Sequence, residues 1–276
     1  MRAIKIQRYV AESATKPLFA LSSRFSTKAN DLINFATLHN FDGIEYTVQA
    51  ETSQALKNDM ANMEALAASG FQIRYHLQFR KVELAHRNKE HAEKSLNHIK
   101  ECIDVINALG GKHIIVHLCL GSRFALHDMK YAHAVKYLAQ AADYAAAKDI
   151  TACLENITYG FTNTPSSFLN LIKNTGVSAT LDIGHVASSP VVLDGTITDI
   201  AFISEVAPYI LSAHVYNIER FDEEHKIGVH IAPTNKDDMK LRLEALGQSN
   251  CSWYLIELGD PDEILRTAAY AREVLL

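Results

Sequence analysis

Short runs of apolar residues recur along the chain, and each is followed by a longer stretch in which apolar positions repeat with a helical period. The short runs are rich in β-branched and aromatic residues, which predicts strands, and the longer stretches predict helices. Eight strands are predicted, over Leu18–Ser22, Gly43–Tyr46, Gln72–Leu77, His113–Leu118, Thr151–Asn156, Ser178–Asp182, Leu211–Val215 and Trp253–Glu257. Eight helices are predicted after them, over Lys28–His39, Ser53–Ala68, Arg87–Leu109, His133–Lys148, Ser166–Asn174, Ile197–Val206, Lys236–Leu246 and Asp262–Leu276.

This alternation predicts an α/β fold, a (β/α)8 TIM barrel forming a single domain over residues 1–276. The strands are almost continuously apolar, which is typical of parallel strands covered on both faces. The competing fold is a doubly wound open sheet, which usually has a glycine-rich phosphate-binding turn after its first strand. Here the corresponding turn, residues 21–25, contains no glycine, and no G-x-G-x-x-G or P-loop pattern occurs in the sequence.

Composition and charge remove several classes of protein. The chain has 276 residues, is 48% hydrophobic and 21% charged, and carries a net charge of −5, which is typical of a globular protein. An acidic chain lacks the positive charge that bulk binding to nucleic acid needs, so a nucleic-acid partner is not expected. No membrane partner is expected either, since no apolar stretch reaches the length of a membrane span. Met1–Ala14 also lacks the apolar segment of a signal peptide.

The cysteines point to the cytoplasm. The four cysteines are scattered and form no C-x-x-C pair; they are Cys102, Cys119, Cys153 and Cys251. Buried free thiols in a reducing compartment account for this pattern.

Polar residues of the kinds that bind metals end seven of the predicted strands. They are Glu45, His76, His117, Glu155, Asp182, His214 and Glu257. In a barrel the carboxyl ends of the strands meet at one mouth, where barrel active sites lie. Burying Glu155, Asp182 and Glu257 together is costly unless cations offset the repulsion. The simplest solution is a divalent metal held by three carboxylates and a histidine, and this donor set suits Mn, Co, Mg, Zn or Fe.

The sequence resembles the xylose isomerase-like TIM barrel superfamily from Phe19 to about Leu275. This superfamily includes sugar and sugar-phosphate isomerases and epimerases, and the endonuclease IV type of DNA-repair enzyme (AP endonuclease family 2). The segments that carry the resemblance are Leu154-Glu155-Asn156, Leu181-Asp182-Ile183-Gly184-His185, Ala213-His214-Val215 and Ile256-Glu257. The resemblance implies a metal tetrad of Glu155, Asp182, His214 and Glu257. It also implies a small-molecule partner, a carbohydrate or polyol, and assembly as a homodimer or homotetramer.

The ketose epimerase branch of the superfamily implies roles for individual residues. Its two acid/base glutamates correspond to Glu155 and Glu257. Its substrate-binding histidine, three residues after the metal aspartate, corresponds to His185, and its substrate-binding arginine, six residues after the metal histidine, corresponds to Arg220. The implied reaction is removal of a proton next to a carbonyl through a metal-stabilised enediolate.

Further residues at the mouth are assigned on weaker grounds. Glu45 and His230 are candidate substrate-binding residues, and Arg24 after the first strand is a weaker one. By contrast, His86, His91 and His98 are expected on the surface. A helical spacing of four residues leads from His86 to Glu90 and from His91 to Ser95, so no second histidine is placed beside either.

Two alternative functions stay open: an endonuclease-like hydrolase, and another metal-dependent lyase or hydrolase. In the endonuclease branch, histidines corresponding to His76 and His117 join the glutamate corresponding to Glu155 in binding a second metal, so up to two metals are expected. A further metal there uses histidines corresponding to His185 and His230. Its aspartate is missing, since Gly228 stands at that position, and Asp222 or His225 are the candidates to substitute.

Overall fold

The structure, a computed structural model, describes residues 16–120, 126–222, 224 and 227–276. Met1–Ala14, which is not expected to be a signal peptide, and His225 lie outside the described residues. The outer limits of the predicted 1–276 domain therefore stay a prediction.

Eight parallel strands close into a barrel, which confirms the predicted TIM barrel fold. The barrel strands are β1 (Leu18–Ser22), β2 (Gly43–Val48), β3 (Gln72–Leu77), β4 (His113–Val116), β5 (Thr151–Glu155), β6 (Ser178–Asp182), β7 (Ile210–Val215) and β10 (Trp253–Ile256). Around the barrel they follow the order β1-β10-β7-β6-β5-β4-β3-β2, so the last barrel strand pairs with the first. All eight predicted strands are found, most with ends shifted by one or two residues.

Helices surround the barrel and cover the outer faces of the strands. They are α1 (Ala29–Leu38), α2 (Ser53–Ala67), α3 (Lys89–Ala108), α4 (Tyr131–Ala146), α5 (Pro165–Thr175), α6 (Ile183–Ala187), α7 (Pro190–Leu193), α8 (Asp199–Val206), α9 (Lys240–Gly247) and α10 (Pro261–Leu275). The short α6 and α7 are not predicted by the sequence pattern. Gly176 ends α5 with a φ of 76°, a left-handed conformation that glycine adopts without strain. Among the described residues, none of the helices combines the length and apolar character needed to cross a bilayer.

An antiparallel hairpin, formed by β8 (Ile218–Asp222) and β9 (Ile227–Ile231), lies between the seventh and eighth barrel strands. The sequence pattern does not predict it, because its residues show no long apolar run. The hairpin follows the carboxyl end of β7, so it lies at the mouth of the barrel, where Glu219 and His230 line the cavity.

Candidate metal centre

The four residues of the predicted tetrad meet at the mouth of the barrel. Glu155 and Asp182 are the last residues of β5 and β6, His214 is in β7, and Glu257 follows β10. The side chains are 0–3% exposed, and one candidate ligand atom from each lies within 4.8 Å of those of the others. His214 Nδ1 is 3.0 Å from Glu257 Oε2, 3.4 Å from Glu155 Oε1 and 3.9 Å from Asp182 Oδ2. The barrel geometry therefore brings together all four predicted ligands.

The opposite side of the His214 ring faces Glu45. Glu45 Oε1 is 2.9 Å from His214 Nε2, and Glu45 Oε2 accepts a hydrogen bond of 3.2 Å from the indole of Trp253. Glu45 is 1% exposed, lies before the end of β2 and is not among the residues that line the cavity. The structure therefore does not bring Glu45 to a position that contacts substrate. Its contacts instead direct the Nδ1 of His214 towards the tetrad.

A second group of potential ligands adjoins the tetrad through Glu155. His76 Nε2 and His117 Nε2 are 2.8 Å apart, and they lie 3.1 and 3.4 Å from Glu155 Oε2. The two oxygens of Glu155 thus face different partners, with Oε1 towards His214 and Oε2 towards the two histidines. His76, His117 and Glu155 offer a second set of metal ligands, as the sequence predicts.

Glu257 has a different neighbour, Arg24, which follows β1. Arg24 Nε donates a hydrogen bond of 3.0 Å to Glu257 Oε1, and Arg24 Nη2 lies 3.1 Å from His230 Nε2. His230 Nδ1 is 2.9 Å from the carbonyl oxygen of Glu257, so the ring donates there and accepts from Arg24. This arrangement fits a neutral ring, and burial lowers the pKa of His230 to about 4.

His185 is held between three groups. Its backbone N–H donates to Asp182 Oδ1 at 2.7 Å, its Nδ1 lies 2.9 Å from the carbonyl oxygen of Asn156, and its Nε2 lies 3.1 Å from Glu219 Oε2. Burial alone lowers the pKa of His185, but Asp182 and Glu219 outweigh it and raise the pKa to about 10. His185 is therefore a fixed cationic hydrogen-bond donor at the edge of the cavity.

Glu219 was not identified from the sequence. It lies on β8, and its carboxylate crosses over Gly228 of β9, where any Cβ would overlap it. The feature of the sequence that relates to Glu219 is Gly228, and its meaning becomes clear only from the structure. The glycine that replaces the aspartate of the endonuclease pattern makes room for a carboxylate from the paired strand.

Arg220, predicted to bind substrate, does not reach the cavity. It is exposed, and because side chains alternate along a strand it lies on the opposite face of β8 from Glu219. Asp222, one of the candidates for the missing aspartate, shares that opposite face. Among the described residues, Arg24 is the arginine that contacts the tetrad.

The electrostatics of the tetrad fit a cation. Burial raises the pKa of Asp182 to about 7, with Glu257 and Glu155 adding to the rise and His185 opposing it. Burial also acts to raise the pKa values of Glu155 and Glu257, but His214 and the other nearby basic groups outweigh it and hold both well below the usual range. Glu155 and Glu257 are thus held in the ionised form, which is the form that binds a cation.

Unpartnered atoms support the same conclusion. Among the described residues, Glu155 Oε2, His214 Nδ1 and Glu257 Oε2 are buried without a hydrogen-bond partner. Leaving such atoms unsatisfied is costly. A metal ion in the tetrad would satisfy His214 Nδ1 and Glu257 Oε2, and an ion held with His76 and His117 would satisfy Glu155 Oε2. The donor set of carboxylate oxygens and one imidazole nitrogen therefore fits a divalent metal.

A cavity of about 580 Å³ opens above the tetrad. Glu155, Glu257, His185 and Arg24 contribute to its lining, so the potential ligands and the potential proton carriers face the same space. This volume lies within the range of small-molecule sites.

Comparison with known proteins identifies the family. The sequence model of the xylose isomerase-like TIM barrel family matches residues 33–273. The chain belongs to this family. The uncharacterized protein MJ0008 of Methanocaldococcus jannaschii is 26% identical over 155 residues, which span 54% of this chain and 64% of that protein. The chain is thus matched over less than two thirds of that relative's length.

Solved structures of the family share the fold. A D-tagatose 3-epimerase-like protein superimposes with a TM-score of 0.70 at 20% identity, covering 94% of this chain and 97% of the other. An L-ribulose 3-epimerase gives 0.69 at 14% identity, covering 94% of both chains. AsbF of Bacillus anthracis, described as a probable 3-DHS dehydratase, gives 0.62 at 14% identity, covering 92% of this chain and 97% of the other. At these identities the likeness establishes the fold, and these relatives include epimerases.

Proposed function

We propose that this protein is a divalent-metal-dependent isomerase or epimerase of a sugar, sugar phosphate or polyol, acting by proton abstraction next to a carbonyl. The observation that carries the proposal is the convergence of Glu155, Asp182, His214 and Glu257 at the floor of one polar cavity. The epimerases among the structures with the same fold support it.

The four tetrad residues would hold the metal, and Mn, Co, Zn and Mg all suit the mixed donors. A cation bound there supplies Lewis acidity, which polarises a substrate carbonyl and stabilises the negative charge that develops on it. His76 and His117, with Glu155, would hold a second cation.

Proton transfer is assigned to the two glutamates that line the cavity. Glu257 Oε1 accepts the proton from the carbon next to the carbonyl while the Arg24 guanidinium remains hydrogen-bonded to that oxygen. The positive charge of His185, held at the edge of the cavity by Asn156 and Glu219, would stabilise the negative charge that grows on a substrate oxygen. Glu155, from β5, would pass a proton taken from solvent to the other face of the same carbon, while Glu257 releases its proton to solvent, and the product is an epimer. Return of the proton to the neighbouring carbon gives an aldose–ketose isomer instead.

Exchange with solvent tests the reaction. The protein is loaded in turn with Mn²⁺, Co²⁺ and Zn²⁺, and incubated in deuterated water with a panel of ketoses, sugar phosphates and inositols. We expect nuclear magnetic resonance to detect exchange of one carbon-bound hydrogen in at least one substrate. Glu257→Gln should lower the exchange rate about 10²–10⁴-fold, since a carboxamide cannot accept the proton.

Two controls accompany this experiment. Elemental analysis of wild type and Glu257→Gln reports whether the variant still binds metal, and Glu244→Gln, on the outer helix α9, should exchange at the wild-type rate. Exchange that survives in metal-loaded Glu257→Gln would reject Glu257 as the base. Absence of exchange across the whole panel would reject the proposed function.

Phosphodiester hydrolysis is the second candidate, favoured by the ligand set of His76, His117 and Glu155. Asp182, His185 and His230 also come together at the remaining metal position of the endonuclease pattern, but the two histidines have other partners. His185 Nε2 faces Glu219, and His230 Nε2 faces Arg24. Robust incision of a duplex with an abasic site, in the absence of sugar exchange, would reverse this ranking.

The expected cellular location and assembly stay part of the proposal. All four cysteines are buried free thiols, which supports a reducing compartment such as the cytoplasm. The homodimer or homotetramer implied by the family resemblance stays a prediction that light scattering would check.

A further inference from the structure

A second cluster of metal-binding side chains lies on the loop that follows β3. It consists of Glu83 and His86 in the loop and His91 in the first turn of α3, and we call it the β3–α3 cluster. One candidate ligand atom from each residue lies within 4.8 Å of those of the other two. The three residues are separate from the candidate metal centre, and they do not line its cavity.

The side chains of the cluster converge on one point. His91 Nε2 is 3.4 Å from Glu83 Oε2, and the rings of His86 and His91 are tilted by 33° with centroids 4.2 Å apart. The two rings and the carboxylate are therefore positioned to share one cation.

Burial makes the cluster more than a surface ion pair. Glu83 is only 6% exposed. The Nε2 atom of His91 is buried, and among the described residues it has no hydrogen-bond partner of acceptable geometry. The His91 nitrogen is directed at the Glu83 carboxylate but makes no hydrogen bond. A cation bound by both residues would satisfy this nitrogen.

The backbone around the cluster is already fixed. The Glu83 N–H donates to Ser95 Oγ at 2.8 Å, and Ser95 Oγ–H donates to the carbonyl oxygen of His91 at 2.9 Å. His133 Nδ1 of α4 lies 2.8 Å from the carbonyl oxygen of His86. Little chain entropy would therefore be lost on binding a metal.

One hydrogen bond has to rearrange. His86 Nδ1 accepts the N–H of Asn88 at 3.1 Å, which places the ring proton on Nε2 when the ring is neutral. Binding a cation at Nε2 moves that proton to Nδ1. The Asn88 N–H then loses its acceptor and must hydrogen-bond to water instead. Asn88 is exposed, so water can replace this contact.

We propose that Glu83, His86 and His91 bind a zinc ion, with water completing a tetrahedral shell. Two imidazole nitrogens and one carboxylate oxygen are a recognised zinc donor set. A pattern of ligands four residues apart on a helix does not reveal this site. The helix begins only at Lys89, so two of the ligands come from the preceding loop. Gln78 and Arg80 of the same loop line the large cavity, so the zinc would stiffen one of its walls.

Metal counting tests the proposal. The full chain is stripped with a chelator, and Zn²⁺ binding is measured by titration calorimetry and elemental analysis in wild type, His91→Gln and Glu83→Gln. Wild type should bind one equivalent more than either variant. His127→Gln is the matched control, because its ring is 78% exposed and outside the cluster, and it should bind as many equivalents as wild type. Equal numbers of equivalents in wild type and both cluster variants would overturn the proposal.

A second measurement needs no variant. Diethyl pyrocarbonate modifies accessible imidazoles, and mass spectrometry locates the modified residues. One added equivalent beyond those of the candidate metal centre should protect His86 at least ~10-fold, while His127 stays reactive. Modification of His86 at the same rate with and without zinc would overturn the proposal even if the variants fail to fold.

Discussion

Glu155 and Glu257 are the same residue type in the same candidate metal centre, yet their surroundings differ. Glu155 Oε2 faces the imidazoles of His76 and His117, at 3.1 and 3.4 Å. Glu257 Oε1 instead receives a hydrogen bond from the guanidinium of Arg24. Each glutamate also keeps one oxygen towards His214.

The difference separates two ways of neutralising a buried carboxylate. A guanidinium is always charged and cannot bind a metal, so the Glu257 side has a permanent cation. Neutral imidazoles can bind a metal, and burial lowers the pKa of His117 to about 3 although Glu155 opposes this. The Glu155 side is therefore suited to an exchangeable metal ion, and the Glu257 side to proton transfer. This division favours Glu257 as the base that starts the reaction.

Among the variants that test the difference between Glu155 and Glu257, Arg24→Gln is expected to change the exchange rate most. Loss of the guanidinium removes both a donor to Glu257 Oε1 and a positive charge beside the substrate. We expect the solvent-exchange rate to fall about 10²–10³-fold, as for loss of a donor to a developing charge. Because Arg24 helps to hold the pKa of Glu257 low, its loss raises that pKa, so the acidic limb of the pH–rate profile moves to higher pH.

Conservative variants separate these contributions. Arg24→Lys keeps the positive charge but loses the planar guanidinium with its several N–H donors. Its exchange rate should therefore lie between those of wild type and Arg24→Gln. Added guanidinium should restore part of the exchange rate in Arg24→Ala. Arg220→Gln is the matched control, and a loss of rate in that variant equal to that in Arg24→Gln would contradict the assignment.

A smaller effect on the reaction is expected from the double variant His76→Asn, His117→Asn. It should lose one bound metal equivalent, because both imidazoles of the second ligand set are gone. Exchange should fall no more than ~10-fold, since Glu155 Oε1, Asp182, His214 and Glu257 are retained. Elemental analysis and the exchange assay on the same preparation check both numbers. A loss of exchange as large as that in Glu257→Gln would show that the Glu155 side is also essential for proton transfer.

The fold was predictable because strand positions depend on local patterns. Each apolar run of β-branched and aromatic residues became a barrel strand, and the stop at Gly176 has the left-handed backbone expected there. The β8–β9 hairpin was not predictable, because its half-exposed residues carry no apolar pattern. Its position depends on contacts with the barrel mouth, such as the Glu219 N–H that donates to Ser188 Oγ.

The positions of the proposed ligands followed from the fold, because strand ends fix where such side chains start. The positions of the residues around those ligands could not be predicted in this way. The spacing rule pointed to Arg220, but the unpredicted hairpin turns that side chain away, and Arg24 approaches from the other end of the sequence. Glu45 shows a different limit. A strand-end carboxylate can turn into the mouth or deeper into the barrel, and packing against Trp253 and His214 decides between them.

Glu45→Gln should have the smallest effect, which is confined to metal binding. Glu45 favours the proton on His214 Nε2 and so leaves Nδ1 free to bind a cation, and loss of such an outer partner typically costs about 10-fold in metal affinity. Titration calorimetry measures the affinity, and Trp253→Phe, which removes only the indole donor to Glu45, is the matched control. Glu45 also lies beside the buried Arg74 on the neighbouring strand, so thermal unfolding of the metal-free proteins is measured in parallel. Unchanged metal affinity with lowered stability would mean that Glu45 stabilises the buried Arg74 and does not orient the His214 ring for metal binding.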